Sequence, residues 1–172
     1  MVILIISLLA AMTLIAGGAV LKAAATSRAK TEIRAISAAL ENYKVDTGVY
    51  PLFDMAGPTN GTYKTDPTDP TYQLSSEALY QALAGKTNYT DALPTGVTIY
   101  YPFKSGQLGS LNNNTFIKDP FGFPYGYSTG NGTGDVPYNG IGFYDLWSTG
   151  GTTGATTANP NSTNTWLTNW KH

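Results

Sequence analysis

Residues 1–48 read MVILIISLLAAMTLIAGGAVLKAAATSRAKTEIRAISAALENYKVDTG, and this stretch decides the fold. Met1 to Leu21 carry no charge, and Lys22 is the first ionised side chain. A run of that length can cross a bilayer core about 30 Å thick as a helix. The helical pattern does not stop at Lys22. Ala29, Ile33, Ile36, Leu40 and Tyr43 recur at spacings of three and four, an apolar stripe on one face. Arg28, Lys30, Glu32, Arg34 and Glu41 fall mostly off that stripe. Asp46-Thr47-Gly48 supplies the stop. One helix is therefore expected from near Met1 to about Val45, roughly 65–70 Å long at 1.5 Å per residue. Its first half is apolar all round and must hide in lipid or among copies of itself. The competing reading is a secretory signal peptide, with Ala23-Ala24-Ala25 as a cleavage-site mimic, but no basic residue precedes the run.

Three parts are expected: residues 1–24 as an apolar membrane or filament-core helix, 25–46 as its amphipathic continuation, and 47–172 as a globular head. Ile3, Leu4, Leu8, Leu14, Gly17, Gly18 and Leu21 are the candidate assembly core. Each of Gly17 and Gly18 costs about 1 kcal/mol in a helix interior. They suit close helix packing through small residues, or a segment that is helical in a membrane and stretched in a polymer.

Beyond Gly48 the texture changes. Val49-Tyr50-Pro51 leaves the helix extended, because proline disfavours the helical region in the residue before it. Residues 54–72 are dense in Asp, Pro, Gly and Asn and read as loop. Ser75-Ser76-Glu77 reads as the cap of a short helix over 78–84, stopped by Gly85. Strands are expected at 97–101, 116–118 and 142–148, with turns at 112–115 and 119–124. Together these predict an α+β chain, a long N-terminal helical spine packed against a small antiparallel sheet.

Composition bounds the function. The chain has 172 residues and a formal charge of -1, so neither nucleic acid nor an anionic membrane surface is attracted by charge. Only 12% of residues are charged, against about 25% in an average globular chain. Gly, Thr, Asn and Ser supply the polarity instead, which suits life outside the cytoplasm. With no cysteine, disulfides and thiolate chemistry are excluded. His172 is the lone histidine and makes no persuasive triad, and no phosphate loop, dinucleotide fingerprint or zinc-protease motif occurs. The aspartates are scattered, half of them directly beside proline or glycine, and turn-making explains them better than acid–base work. An enzyme is not expected. Sequons begin at Asn60, Asn88, Asn113, Asn131 and Asn161, and the Thr-rich stretch 149–165 is a candidate for O-linked sugar. Aromatic electron transfer along a polymer is rejected, because residues 1–42 contain no aromatic ring.

Several segments resemble one family in order along the chain. The helix exit over Ala39 to Pro51, with Tyr43, Asp46, Tyr50 and Pro51, resembles that of the major pseudopilins of type II secretion systems. Glu77 to Gly85 resembles their short helix. Asp119-Pro120-Phe121-Gly122-Phe123-Pro124-Tyr125 resembles their Asp-Pro-Trp-Gly-Asn-Pro-Tyr turn. Tyr144-Asp145-Leu146-Trp147-Ser148-Thr149-Gly150-Gly151 resembles their Phe-Asp-Leu-x-Ser-x-Gly stretch, and Trp166 to Trp170 their closing segment. The resemblance implies the type IV filament superfamily: subunits anchored in the inner membrane, then driven by a platform protein and an ATPase into a homopolymeric extracellular filament. The alternative is a membrane-anchored module that grips a glycan or surface without polymerising.

There are three departures. The family's basic leader, its Phe-Thr-Leu-Ile-Glu start and its early glutamate are not seen. Counted back from Tyr50-Pro51 the chain starts roughly two helical turns late, which favours a missing beginning over a divergent subunit. The family's helix-breaking proline is replaced by Gly17-Gly18. Its calcium site is carried by carboxylates, whereas Thr149 to Asn169 holds no Asp or Glu, so calcium is not transferred.

Overall fold

A computed structural model describes residues 2–53, 66–130, 137–153 and 165–170; within them, the side chains at 2, 4, 5, 7–17 and 71 are not described. The first helix, α1, runs Val2–Thr47 without a break. Gly48, in the left-handed region at φ 84, ends it by donating its N–H to the Lys44 carbonyl at 2.8 Å. Thr47 Oγ1 reinforces this exit on the carbonyls of Tyr43 and Val49, both at 2.8 Å.

The second helix, α2, spans Pro70–Ala84, eight residues longer toward its N-terminus than the sequence suggests. Ser75 and Ser76 are not its cap. Pro70 opens it, at a position where the missing N–H costs nothing, after a turn in which the Asp66 carboxylate accepts from the backbone and hydroxyl of Thr68. Both serines lie buried inside the helix, and Ser76 Oγ is shared between the Ile117 carbonyl at 2.6 Å and the Ile117 N–H at 2.9 Å. Gly85 ends α2 at φ 70.

Five short strands follow: β1 Leu108–Leu111, β2 Asn114–Ile117, β3 Gly126–Ser128, β4 Asp145–Ser148 and β5 Leu167–Thr168. They form two antiparallel sheets, β1-β2 and β3-β4-β5. The β1–β2 turn is Asn112-Asn113, both with positive φ (51 and 64), as a two-residue hairpin of matching twist requires. Gly126 pairs with Trp147, Tyr127 with Leu146 and Ser128 with Asp145.

Two of the expected strands differ. Residues 97–101 form no strand; the N–H groups of Tyr100 and Tyr101 instead donate to the Leu83 carbonyl, strapping the end of α2. The strand expected from Gly142 begins only at Asp145, because Gly142 lies at φ 80 and breaks the extension.

The α1 stripe behaves as the periodicity predicts. Ala29, Ile33, Ile36 and Leu40 are buried with Leu79, Leu83, Ile117, Tyr125, Tyr127 and Leu146, and Tyr43 packs on the edge of that core. A second, aromatic cluster holds Tyr72, Trp147, Trp166 and Trp170. The molecule is α+β, a long N-terminal helix carrying small antiparallel sheets.

Candidate functional site

The described side chains of α1 ahead of Ala29 lie outside the head's core. Ile3 is 85% exposed, Ile6 60%, Val20 66% and Leu21 73%. Gly18 faces open space, with nothing within 4 Å of where a Cβ would stand. Leu4, Leu8, Leu14 and Gly17 lie on the helical backbone, but their side chains fall outside the described residues. Among the described residues no helix is long and apolar enough to cross a membrane.

The head is fixed to the other half of α1 by a set of polar ties. Tyr50 Oη donates to the Glu41 carboxylate at 2.9 Å, while the Lys44 ammonium stands 4.3 Å from the Tyr50 ring centroid. The Tyr144 ring meets Tyr50 edge-on at 4.7 Å. The Pro51 carbonyl accepts from Tyr127 Oη at 2.8 Å. Asp46 accepts from Tyr100 Oη at 3.2 Å. Glu32, which the periodicity places off the stripe, is in fact buried beneath the head. It accepts from Tyr125 Oη at 2.8 Å and pairs with Arg28 at 2.8 Å. Burial, first, and then the neighbouring Glu32 charge push the Tyr125 phenol well above its ordinary range.

The Asp119 turn and the end of β4 meet. Asp119 Oδ1 accepts from the N–H groups of Phe121 (3.0 Å) and Phe123 (2.9 Å), and its Oδ2 accepts from the Ser148 hydroxyl at the end of β4. Pro120 sits half-buried in that turn. Asp145 is buried and accepts from the N–H groups of Tyr138 (2.6 Å) and Asn139 (3.1 Å), and from the Asn139 amide. Asn169 Oδ1 takes the Leu146 N–H at 2.8 Å, stitching the closing segment to β4. Trp170 stacks on Tyr138 at 5.2 Å and meets Trp147 edge-on at 5.8 Å, and Trp147 Nε1 donates to Tyr72 Oη at 2.9 Å. Gly126 makes this cluster possible: a Cβ there would stand 2.2 Å from the Trp147 ring.

The turn expected at 112–115 and the strand expected at 116–118 overlap the hairpin turn and β2, but the sequence reading missed the Asp119–Ser148 tie and β1. The first joins residues far apart in the chain. The second is Leu-Gly-Ser-Leu, with no strong β-formers to mark it as a strand.

Of the sequons, Asn88 and Asn113 are described, while Asn60, Asn131 and Asn161 lie outside the described residues. Thr115, the hydroxyl partner of the Asn113 sequon, is buried and accepts the Tyr89 N–H at 3.0 Å. Residues 149–169 carry no Asp or Glu, and among the described residues no three His, Cys, Asp or Glu side chains gather at one point; residues 154–164 of that stretch lie outside the described residues. Comparison with known protein families, with characterised proteins and with solved structures finds no match to this chain.

Proposed function

We propose that the chain is a structural subunit that polymerises through the apolar half of α1 into a helical extracellular filament of the type IV pilus or type II secretion pseudopilus kind. Before assembly it is held in the inner membrane by the same helix, and a platform protein and an ATPase draw it into the polymer. Its role is structural rather than catalytic.

The observation that carries this reading is the exposure of Ile3, Ile6, Val20 and Leu21 on a helix whose other half is locked under the head. Burying an aliphatic side chain contributes about 1.5–3 kcal/mol. A helix that leaves several of them outside its own core gains most by packing against identical helices. The sparsely charged, amide- and hydroxyl-rich head suits an outward-facing coat.

The test is assembly of the full-length chain, read by electron microscopy of pelleted fibres. Leu8→Asp and Leu14→Asp should each abolish fibres, because an unpaired carboxylate cannot be buried among apolar helices. The head should stay folded, as reported by fluorescence of Trp147, Trp166 and Trp170. Fibres that persist with the aspartate in place would overturn the proposal. So would a wild-type chain that is a dispersed monomer in plain buffer. A wild-type chain that is monomeric in detergent and never forms fibres would favour the membrane-tethered binding module.

A further inference from the structure

A shallow groove of about 480 Å³ runs between the loop that follows α2 and the β1–β2 hairpin. Asn88, Thr90, Ser105, Ser110 and Asn113 bring amides and hydroxyls to it, and Tyr89 brings a half-exposed ring. No hydrogen bond ties the side chain of any of those five to the rest of the described structure. No charged residue lines the groove. We propose that this groove binds a neutral carbohydrate, a short oligosaccharide of hexose or N-acetylhexosamine units.

The chemistry follows from what the lining offers. Amides and hydroxyls donate and accept alike, and so match a ligand whose hydroxyls also do both. The tyrosine ring gives an apolar face for the C–H side of a pyranose while its rim stays wet. The lining residues carry no charge, and the nearest ionised groups, Lys86 and Asp91, are engaged on the Tyr89 carbonyl and the Asn88 N–H, so the groove favours a neutral ligand. The volume falls within the range of small-molecule sites, about 300–1,000 Å³.

The groove is also held in shape before any ligand arrives. The Tyr89 N–H is fixed on Thr115 Oγ1 at 3.0 Å, and its carbonyl accepts Lys86 Nζ at 2.8 Å. The Lys86 ammonium lies 5.3 Å from the Tyr89 ring centroid. The Asn88 N–H is pinned on Asp91 Oδ2 at 2.8 Å. Asn113 is fixed by the left-handed turn it occupies. Such preorganisation lowers the entropy cost of binding. The inference does not rest on the filament reading, because the groove belongs to the head of a polymerised or a tethered chain alike.

The full-length chain, in a zwitterionic detergent without a sugar headgroup, is titrated with lactose, maltotriose and N,N′-diacetylchitobiose and followed by saturation-transfer NMR. At least one of the three is expected to bind. Tyr89→Ala and, independently, Asn113→Gly should each weaken that binding about tenfold or more, the weight of one lost good contact. Asn113→Gly keeps the turn, so its effect is not one of folding. Ile141→Ala, on an exposed turn outside the groove's lining, should bind as the wild type does. The proposal is overturned if none of the three sugars binds, if both groove variants bind like the wild type, or if 3′-sialyllactose binds while lactose does not. It is also overturned if native chain carries a sugar mass that Asn88→Gln removes, since an attached glycan would then fill the groove.

Discussion

Asp119 shows how much one side chain organises. Its carboxylate takes two backbone N–H groups of its own turn and the Ser148 hydroxyl of β4, so a local turn is also a tie between distant segments. Asp119→Ala orphans those donors and should cost about 3 kcal/mol, read by thermal unfolding followed through tryptophan fluorescence. Asp119→Asn keeps an acceptor for the turn and should cost clearly less. Burial raises the Asp119 carboxyl above its ordinary 3.8 against the opposing pull of Ser148 and the turn N–H groups. The folded chain therefore holds that proton more tightly than the unfolded one. The associated stability is fully present below 3.8 and is lost as pH rises through the folded value. Gly126→Ala drives a methyl into the Trp147 ring and should cost about 2–3 kcal/mol by overpacking, measured the same way. The turn role of Asp119 was legible in Asp-Pro-Phe-Gly. Its grip on Ser148 was not, because nothing local marks which of many serines a buried carboxylate will reach. Gly126 likewise reads as one glycine among 19 until Trp147 is seen lying across it.

At the level of elements, α1 was the most legible part, since a long period-3.6 stripe with a terminal glycine has few other solutions. The stretch 97–101 shows the limit of propensity. Val-Thr-Ile-Tyr-Tyr is rich in strand formers, yet the N–H groups of Tyr100 and Tyr101 go to Leu83 at the end of α2, where carbonyls would otherwise lack partners. In α2 the two serines look like a cap, but buried Ser76 serves Ile117 across the fold, and tertiary demand overrides a local signal. The β1–β2 hairpin gives a sharp test. Asn113→Ala keeps a Cβ in the left-handed region but loses the tolerance of that region peculiar to asparagine, and should cost about 1 kcal/mol. Asn113→Gly should be neutral or slightly stabilising, as compared by urea midpoints.

For the molecule as a whole, buried phenols set the response to alkali. Tyr72, Tyr125 and Tyr127 are all buried, and burial is the largest cause that lifts each well above the ordinary 10.0. These groups stay protonated in the fold when the unfolded chain would already have ionised them. Stability should hold up to about pH 10 and fall above it, by about 1.4 kcal/mol per pH unit for each such tyrosine. Thermal midpoints across pH 8 to 12 measure this, and Tyr125→Phe should flatten the slope. The two halves of α1 belong to one unbroken helix, and that sets an azimuth as well as a distance. Each residue advances the helix by about 100°, at 3.6 residues per turn. Adding a single alanine between Lys22 and Ala23 would leave both halves chemically intact while swinging the head about 100° around the axis. The same head residues would then look in a new compass direction.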